Sequence, residues 1–192
     1  MDRFEYVIAL MAIITGLGLS DAGLSLHRLM KRRSRVRWDW LPLAVAAYLS
    51  FSLIRLWYQL WTTRDAPGVT DLLFFITLVA ETFLLFLAVA AALPDEDDFD
   101  GGTIDLRDFY VRHQRYIWTL FTTFTVAWTL HAIYFGLTGN ASAARLGVVA
   151  LVVLIPLVIG GLLAVLRGRR WHVAGVCLLL VHEAAWMVWA GL

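Results

Sequence analysis

The residues able to do chemistry in this chain are few, and they lie inside apolar segments. Arg55 falls within the run YLSFSLIRLWYQ, where Tyr48, Ser52 and Gln59 share its helical face at i, i+4, i+7, i+11 spacing. Glu81 sits near the middle of a third apolar segment, with Thr77 one turn earlier on the same face. His131 belongs to a fourth segment, and the adjacent pair His182-Glu183 to a sixth. A charge surrounded by hydrocarbon is costly unless another helix supplies a partner, so each of these groups marks a face turned into a protein interior.

Such a set supports several chemistries. Arg55 paired with Glu81 or Glu183, with the histidines completing the network, is a structural brace. The same groups could instead titrate along a path for protons, an ion or a small polar solute, with Arg55 setting the local potential. A divalent metal on His131, His182, Glu183 and Glu81 is a third arrangement, but no HExxH or HxxxH spacing supports it. Haem b between His131 and His182 is a fourth, resting on one histidine from each of two helices. No GxSxG pattern is present, so serine-nucleophile chemistry is not indicated and no catalytic residue is assigned; no cofactor is expected beyond the haem b or divalent metal of the last two arrangements.

These positions imply the elements that must hold them. Of 192 residues, 60% are hydrophobic and 16% charged, with mean hydropathy +0.73. A soluble domain carries about 25% charged residues, so this excess of apolar surface is expected to face lipid. Six segments reach the roughly 20 residues that a membrane crossing needs, near 4–26, 40–61, 69–93, 116–137, 146–166 and 171–192. The expected fold is therefore all-α: one transmembrane domain over 1–192, a polytopic bundle of six helices in the lipid bilayer. A bundle this small has little interior, so a homo-oligomer or a membrane-protein partner is expected. Net charge +1 gives no global field for nucleic acid.

Basic residues set the orientation. Arg28, Lys31, Arg32, Arg33, Arg35, Arg37, Arg107, Arg112, Arg115, Arg167, Arg169 and Arg170 fall in alternate loops, twelve of the sixteen in the chain. The positive-inside rule places them in the cytoplasm and both termini outside. The start MDRFEYVIAL lacks the basic region and cleavage site of a signal peptide, so the first segment is expected to be retained.

The loop 94–115 carries a dense acidic run, Asp95 to Asp98 and Asp100. Glu96, Asp98, Asp100 and Gly101 imitate the opening of a calcium loop, but Arg107 stands where the closing Glu belongs. A solvated run facing the basic first loop is the better account. Leu106, Phe109, Tyr110 and His113 share a face, which predicts a short interfacial helix over 103–114 before the fourth span. In the first segment, Ala12, Gly16 and Ser20 at four-residue spacing, with Gly18 and Gly23 nearby, predict a close helix contact. Asp21 is expected to pair toward Arg28 on the cytoplasmic side. The threonines 119, 122, 125 and 129 either pack against their own helix or line a cavity. Leu78-Val79-Ala80-Glu81 and Leu180-Val181-His182-Glu183 share LVxE, which would suit an inverted repeat of three helices. Cys177 is alone, so no intrachain disulfide forms.

The opening ITGLGLSDAGLSLHRLMKRR, followed by RLWYQLW in the second segment, resembles a group of small bacterial six-helix integral membrane proteins of no known activity. That resemblance implies a bacterial plasma (inner) membrane and transfers no functional residue. The function expected from the residues is a channel or transporter. The alternative is a non-catalytic membrane subunit or scaffold, and the third reading is a metal or haem protein.

Overall fold

The computed structural model describes residues 3–62, 72–96, 98–99, 102–138 and 143–189. Among them are six α-helices: α1 (Arg3–Lys31), α2 (Trp40–Thr62), α3 (Leu72–Ala90), α4 (Leu106–Thr138), α5 (Ala143–Val165) and α6 (Arg169–Trp189). Four described stretches are long and apolar enough to cross a membrane: Phe4–Lys31, Trp40–Trp61, Leu72–Ala90 and Arg169–Val188. Val152–Val165 of α5 is a shorter apolar stretch. The threonines and tryptophans of α4 dilute its apolar character.

The predicted interfacial helix is not a separate element. Leu106–Thr138 is one helix of 33 residues, because no proline or glycine interrupts the chain between Leu106 and Gly136. Its start is fixed by Asp105, whose Oδ1 accepts from the N–H groups of Arg107 (2.9 Å) and Asp108 (3.2 Å). Asp39 does the same for α2, accepting from the Leu41 N–H at 2.9 Å. Just ahead of these caps, β1 (Val36–Arg37) and β2 (Ile104–Asp105) pair in parallel.

These links gather the basic loops at one end of the bundle. The strand pair joins the starts of α2 and α4. Arg32 stacks over Phe99 at 4.6 Å, bringing the end of α1 to the loop after α3. Glu96 shares a cleft with His27, Arg28 and Lys31, so the acidic loop does face the first basic loop. Asp100 and Gly101 of the calcium-like run lie outside the described residues. Asp21 is half-buried, and among the described residues it makes no ion pair. Its expected partner Arg28 lines the cleft that also holds Glu96.

The helices pack through small residues, and on α1 the close contact is made by Gly18 and not by the four-residue stripe beside it. Ala12, Gly16 and Ser20 of α1 face outward. The buried face carries Val7, Met11, Thr15, Gly18, Ser25 and Leu29, offset from the small-residue stripe by the bulk of Met11 and Leu29 seeking the core. At Gly18, a Cβ would lie 2.8 Å from Leu53 of α2 and 3.3 Å from Phe86 of α3. At Gly160 of α5, it would lie 2.9 Å from the Phe121 ring and 3.2 Å from Thr122 Oγ1. Phe121 is fully enclosed by Tyr48 and Trp118, edge-on at 5.6 and 5.7 Å, and cannot swing aside.

The inverted repeat is not supported by this packing. Its symmetry would make α1 against α3 equivalent to α4 against α6. The first pair packs closely, whereas the second shares no comparable backbone interface.

Asp39 also ties α2 to α6. Arg169 grips it with two hydrogen bonds, Nη1 to Oδ2 at 2.5 Å and Nη2 to Oδ1 at 3.1 Å. Burial alone pushes the Asp39 carboxyl up. The Arg169 and Leu41 hydrogen bonds, with the charges of Arg169 and Arg107, outweigh it and hold the carboxyl below its usual range. A depressed folded value means the brace stabilises fully above the unfolded value of about 4 and is lost as pH falls below it. Acid melts in detergent should therefore show Asp39→Asn with a flatter fall in unfolding temperature below about pH 4 than the parent; superimposable slopes would remove the brace from the stability account. Independently, Gly160→Ala should cost about 1–3 kcal/mol by overpacking, seen as a lower midpoint in thermal unfolding, and an unchanged midpoint would show that α4 and α5 can part.

Candidate functional site

The five ionisable groups expected to cluster are divided between two sites. In the first, Arg55 of α2 meets Glu183 of α6, with Nε 2.6 Å from Oε1. Both are largely buried, Glu183 with 3% exposure. The oxygen lies off the N–H axis, so the contact is an ion pair more than an aligned hydrogen bond. Glu183 Oε2 has no hydrogen-bond partner among the described residues. His182 points elsewhere on α6, half-buried, and its Nδ1 has no hydrogen-bond partner among the described residues. Tyr48 is buried two turns from Arg55, its phenol within electrostatic reach of Arg55 and Glu183.

The rest of the polar face of α2 is quieter than its spacing suggests. The Ser52 hydroxyl donates to the Tyr48 carbonyl at 3.0 Å. Gln59 is half-buried nearer the far end of the helix. The α4 threonines likewise turn inward on their own helix. Thr122, Thr125 and Thr129 donate to the carbonyls of Trp118, Thr122 and Thr125 at 2.6, 2.9 and 2.6 Å. Their hydroxyls are spent on the backbone, the packing alternative.

The second site joins α3 and α4. His131 Nδ1 lies 2.9 Å from Glu81 Oε1, and His131 Nε2 lies 2.9 Å from Thr77 Oγ1. Phe74 covers the imidazole at a ring distance of 5.3 Å. Thr77 Oγ1 also reaches the carbonyls of Leu73 and Phe74, at 3.0 and 2.9 Å. The single hydroxyl hydrogen goes either to one of those carbonyls, with Thr77 accepting from an Nε2–H, or to a bare Nε2, with the ring hydrogen on Nδ1.

Both cases put one hydrogen between Glu81 and His131. A carboxylate oxygen and a bare Nδ1 would be two acceptors in repulsive contact, so that hydrogen sits on Nδ1 or on the Glu81 carboxyl. The approach is off-axis, as at Arg55, so the proton is shared through charge as much as through direction. Glu81 is 1% exposed, and its Oε2 has no hydrogen-bond partner among the described residues. The arrangement is a one-proton site inside an apolar bundle.

A third polar network was not foreseen. His172 is fully enclosed at the start of α6. Its Nε2 donates to the Leu166 carbonyl at 2.7 Å, so Nδ1 accepts from the Tyr110 hydroxyl at 2.8 Å. Tyr110 in turn accepts from Trp118 Nε1 at 2.8 Å. The imidazole is a neutral, fully satisfied hinge pin between α4, α6 and the turn after α5. Only the aromatic and histidine content near segment ends hinted at it. The Asp39–Arg169 brace had a clearer signal, since an Asp directly before an apolar run is a helix-start pattern.

Among the described residues, no three of His, Cys, Asp and Glu converge to hold a metal ion. Both ring nitrogens of His131 are engaged by Glu81 and Thr77, so ligation of haem or a metal there would first have to break one of those contacts. No family model, curated protein or solved structure matches the chain.

The pairing makes a specific demand on charge. Arg55→Glu should destabilise the protein by about 3–5 kcal/mol, the cost of an unpaired buried charge. Adding Glu183→Arg should recover most of that loss in detergent thermal unfolding, whereas adding Glu81→Arg should not. Rescue by Glu81→Arg instead would mean that α2 meets α3 and not α6 at this depth.

Proposed function

We propose that this chain is an integral protein of the bacterial plasma membrane, crossing it six times with both termini outside. It conducts or transports protons, or a small polar solute or ion coupled to them. The observation that supports this reading is the Glu81–His131 contact of 2.9 Å, buried between two helices with room for one proton. A titratable couple inside hydrocarbon is costly to maintain and suits a group that exchanges protons as it works. Thr77 holds the far ring nitrogen and so orients the imidazole toward Glu81. Arg55–Glu183 is the fixed counterpart, an ion pair that ties α2 to α6. The outward stripe Ala12, Gly16 and Ser20 suits close contact with a second copy or a membrane partner.

A second reading has its own support. Arg55 and Glu183 satisfy each other in charge, and Asp39–Arg169 braces the same two helices at their starts. A non-catalytic subunit or scaffold needs no more than such a network.

Proteoliposomes carrying a trapped pH dye and a potassium diffusion potential separate the two. The parent protein should dissipate the pH difference, and Glu81→Gln should slow it by at least about tenfold, as for loss of a positioned proton-transfer group. The Arg55→Glu/Glu183→Arg exchange should keep most of the flux. Flux equal to protein-free liposomes for protons and for several ions would defeat the transport reading and leave the scaffold.

A further inference from the structure

The basic end of the bundle is not uniformly neutralised. Arg37 meets Asp105 at 3.8 Å, and Arg169 meets Asp39. Arg28, Lys31 and Arg32 share their cleft with Glu96 and Phe99. A second cavity, about 490 Å³, opens between α4 and the turn after α5, and here the arginines lack acids. Arg112 and Arg115 line it from α4, one turn apart, and Arg167 lines it from the turn. Among the described residues, none of these three forms an ion pair. Gln114, largely buried, adds an amide to the same wall.

The remaining wall is apolar. Val165 and Leu166 line the cavity, and Val165 is 77% exposed. From there an exposed stripe runs back along α5 through Leu162, Val158 and Leu154, at i, i−3, i−7, i−11 from Val165. This spacing keeps all four on one face of the helix. The cavity therefore joins a cationic mouth to an apolar track leading toward the middle of the span.

Its walls are also held in place. His172 donates to the Leu166 carbonyl and accepts from Tyr110, so the turn bearing Arg167 is pinned to the helix bearing Arg112 and Arg115. An arginine set on a fixed frame can meet a phosphate with little ordering cost.

The geometry points to a site for one anionic diacyl phospholipid, its headgroup phosphate among Arg112, Arg115 and Arg167 and an acyl chain along Val165, Leu162, Val158 and Leu154. Basic cavities beside membrane helices on the arginine-rich face meet the leaflet where anionic headgroups lie. A free anion would use the arginines but leave the apolar track idle, so the lipid accounts for more of the site. This inference rests on the membrane placement proposed above and is independent of the Glu81–His131 proton site. Protein inactive in flux would leave it standing.

Native mass spectrometry of the full chain from neutral detergent tests it, with phosphatidylglycerol, phosphatidylcholine of the same acyl chains, and glycerol phosphate as probes. Phosphatidylglycerol should be retained at least about tenfold better than phosphatidylcholine, and glycerol phosphate should neither bind nor displace it. Arg112→Gln/Arg167→Gln should weaken phosphatidylglycerol retention by about tenfold, while Arg33→Gln/Arg35→Gln, which removes equal charge at the same end, should stay within about twofold. Equal loss in the two double variants would reduce the effect to diffuse attraction and overturn the site. Equal retention of the two lipids, or displacement by glycerol phosphate, would also overturn it. Size exclusion checks folding, and if the double variant fails it, Arg167→Gln on the exposed turn carries the same comparison.

Discussion

A guanidinium embedded in an apolar helix cannot be left without an anion, and that constraint organises this bundle. Arg55 has no acid on its own helix within reach, so another helix must bring one. Glu183 does so at 2.6 Å, which sets the rotation and height of α6 against α2. The second brace agrees with the first. From Asp39 to Arg55 and from Arg169 to Glu183 the helices rise by about 24 and 21 Å at 1.5 Å per residue. Two helices that start level and run parallel therefore meet again at Arg55 and Glu183. Each charge pair limits the geometry left open by the other.

The second titratable site obeys the same rule with a different outcome. Glu81 finds a histidine, whose charge depends on a proton, so its neutralisation is conditional where that of Glu183 is permanent. Thr77 makes the difference usable. By engaging Nε2, it turns Nδ1 toward Glu81 and leaves the Glu81–His131 gap as the place where a hydrogen resides. The contrast between a permanent pair and a proton-dependent one is the basis on which structural work is proposed for the first and proton exchange for the second.

Around these sites, small residues and aromatic rings fix the distances. Gly18 and Gly160 admit bulky neighbours where a methyl group would collide, and Tyr48, Trp118, Phe121 and Phe124 form a continuous aromatic core between α2 and α4. The His172 network closes the basic end, coupling α4, α6 and the turn after α5 through donors and acceptors that are all used.

Apolar segments, their lengths and their helical faces were readable in order along the chain, because hydropathy and periodicity are local properties. That Arg55 needs an acid followed from its surroundings alone, and Glu183 was one of the two candidates. Which acid answers it was not local, since Glu81 and Glu183 sit at similar depths and only the packing of α6 on α2 and of α4 on α3 separates them. The same limit hid the true contact face of α1, where a small-residue stripe at Ala12, Gly16 and Ser20 was conspicuous but the larger side chains of Met11 and Leu29 chose the buried side. It also merged the predicted interfacial helix into α4, since a boundary at the membrane surface leaves no break in a backbone that lacks proline or glycine there. Sequence thus determined which segments form helices and which groups require partners, through short-range sterics and solvation. Tertiary structure alone decided who partners whom, because that depends on the rotation and depth of helices far apart in the chain.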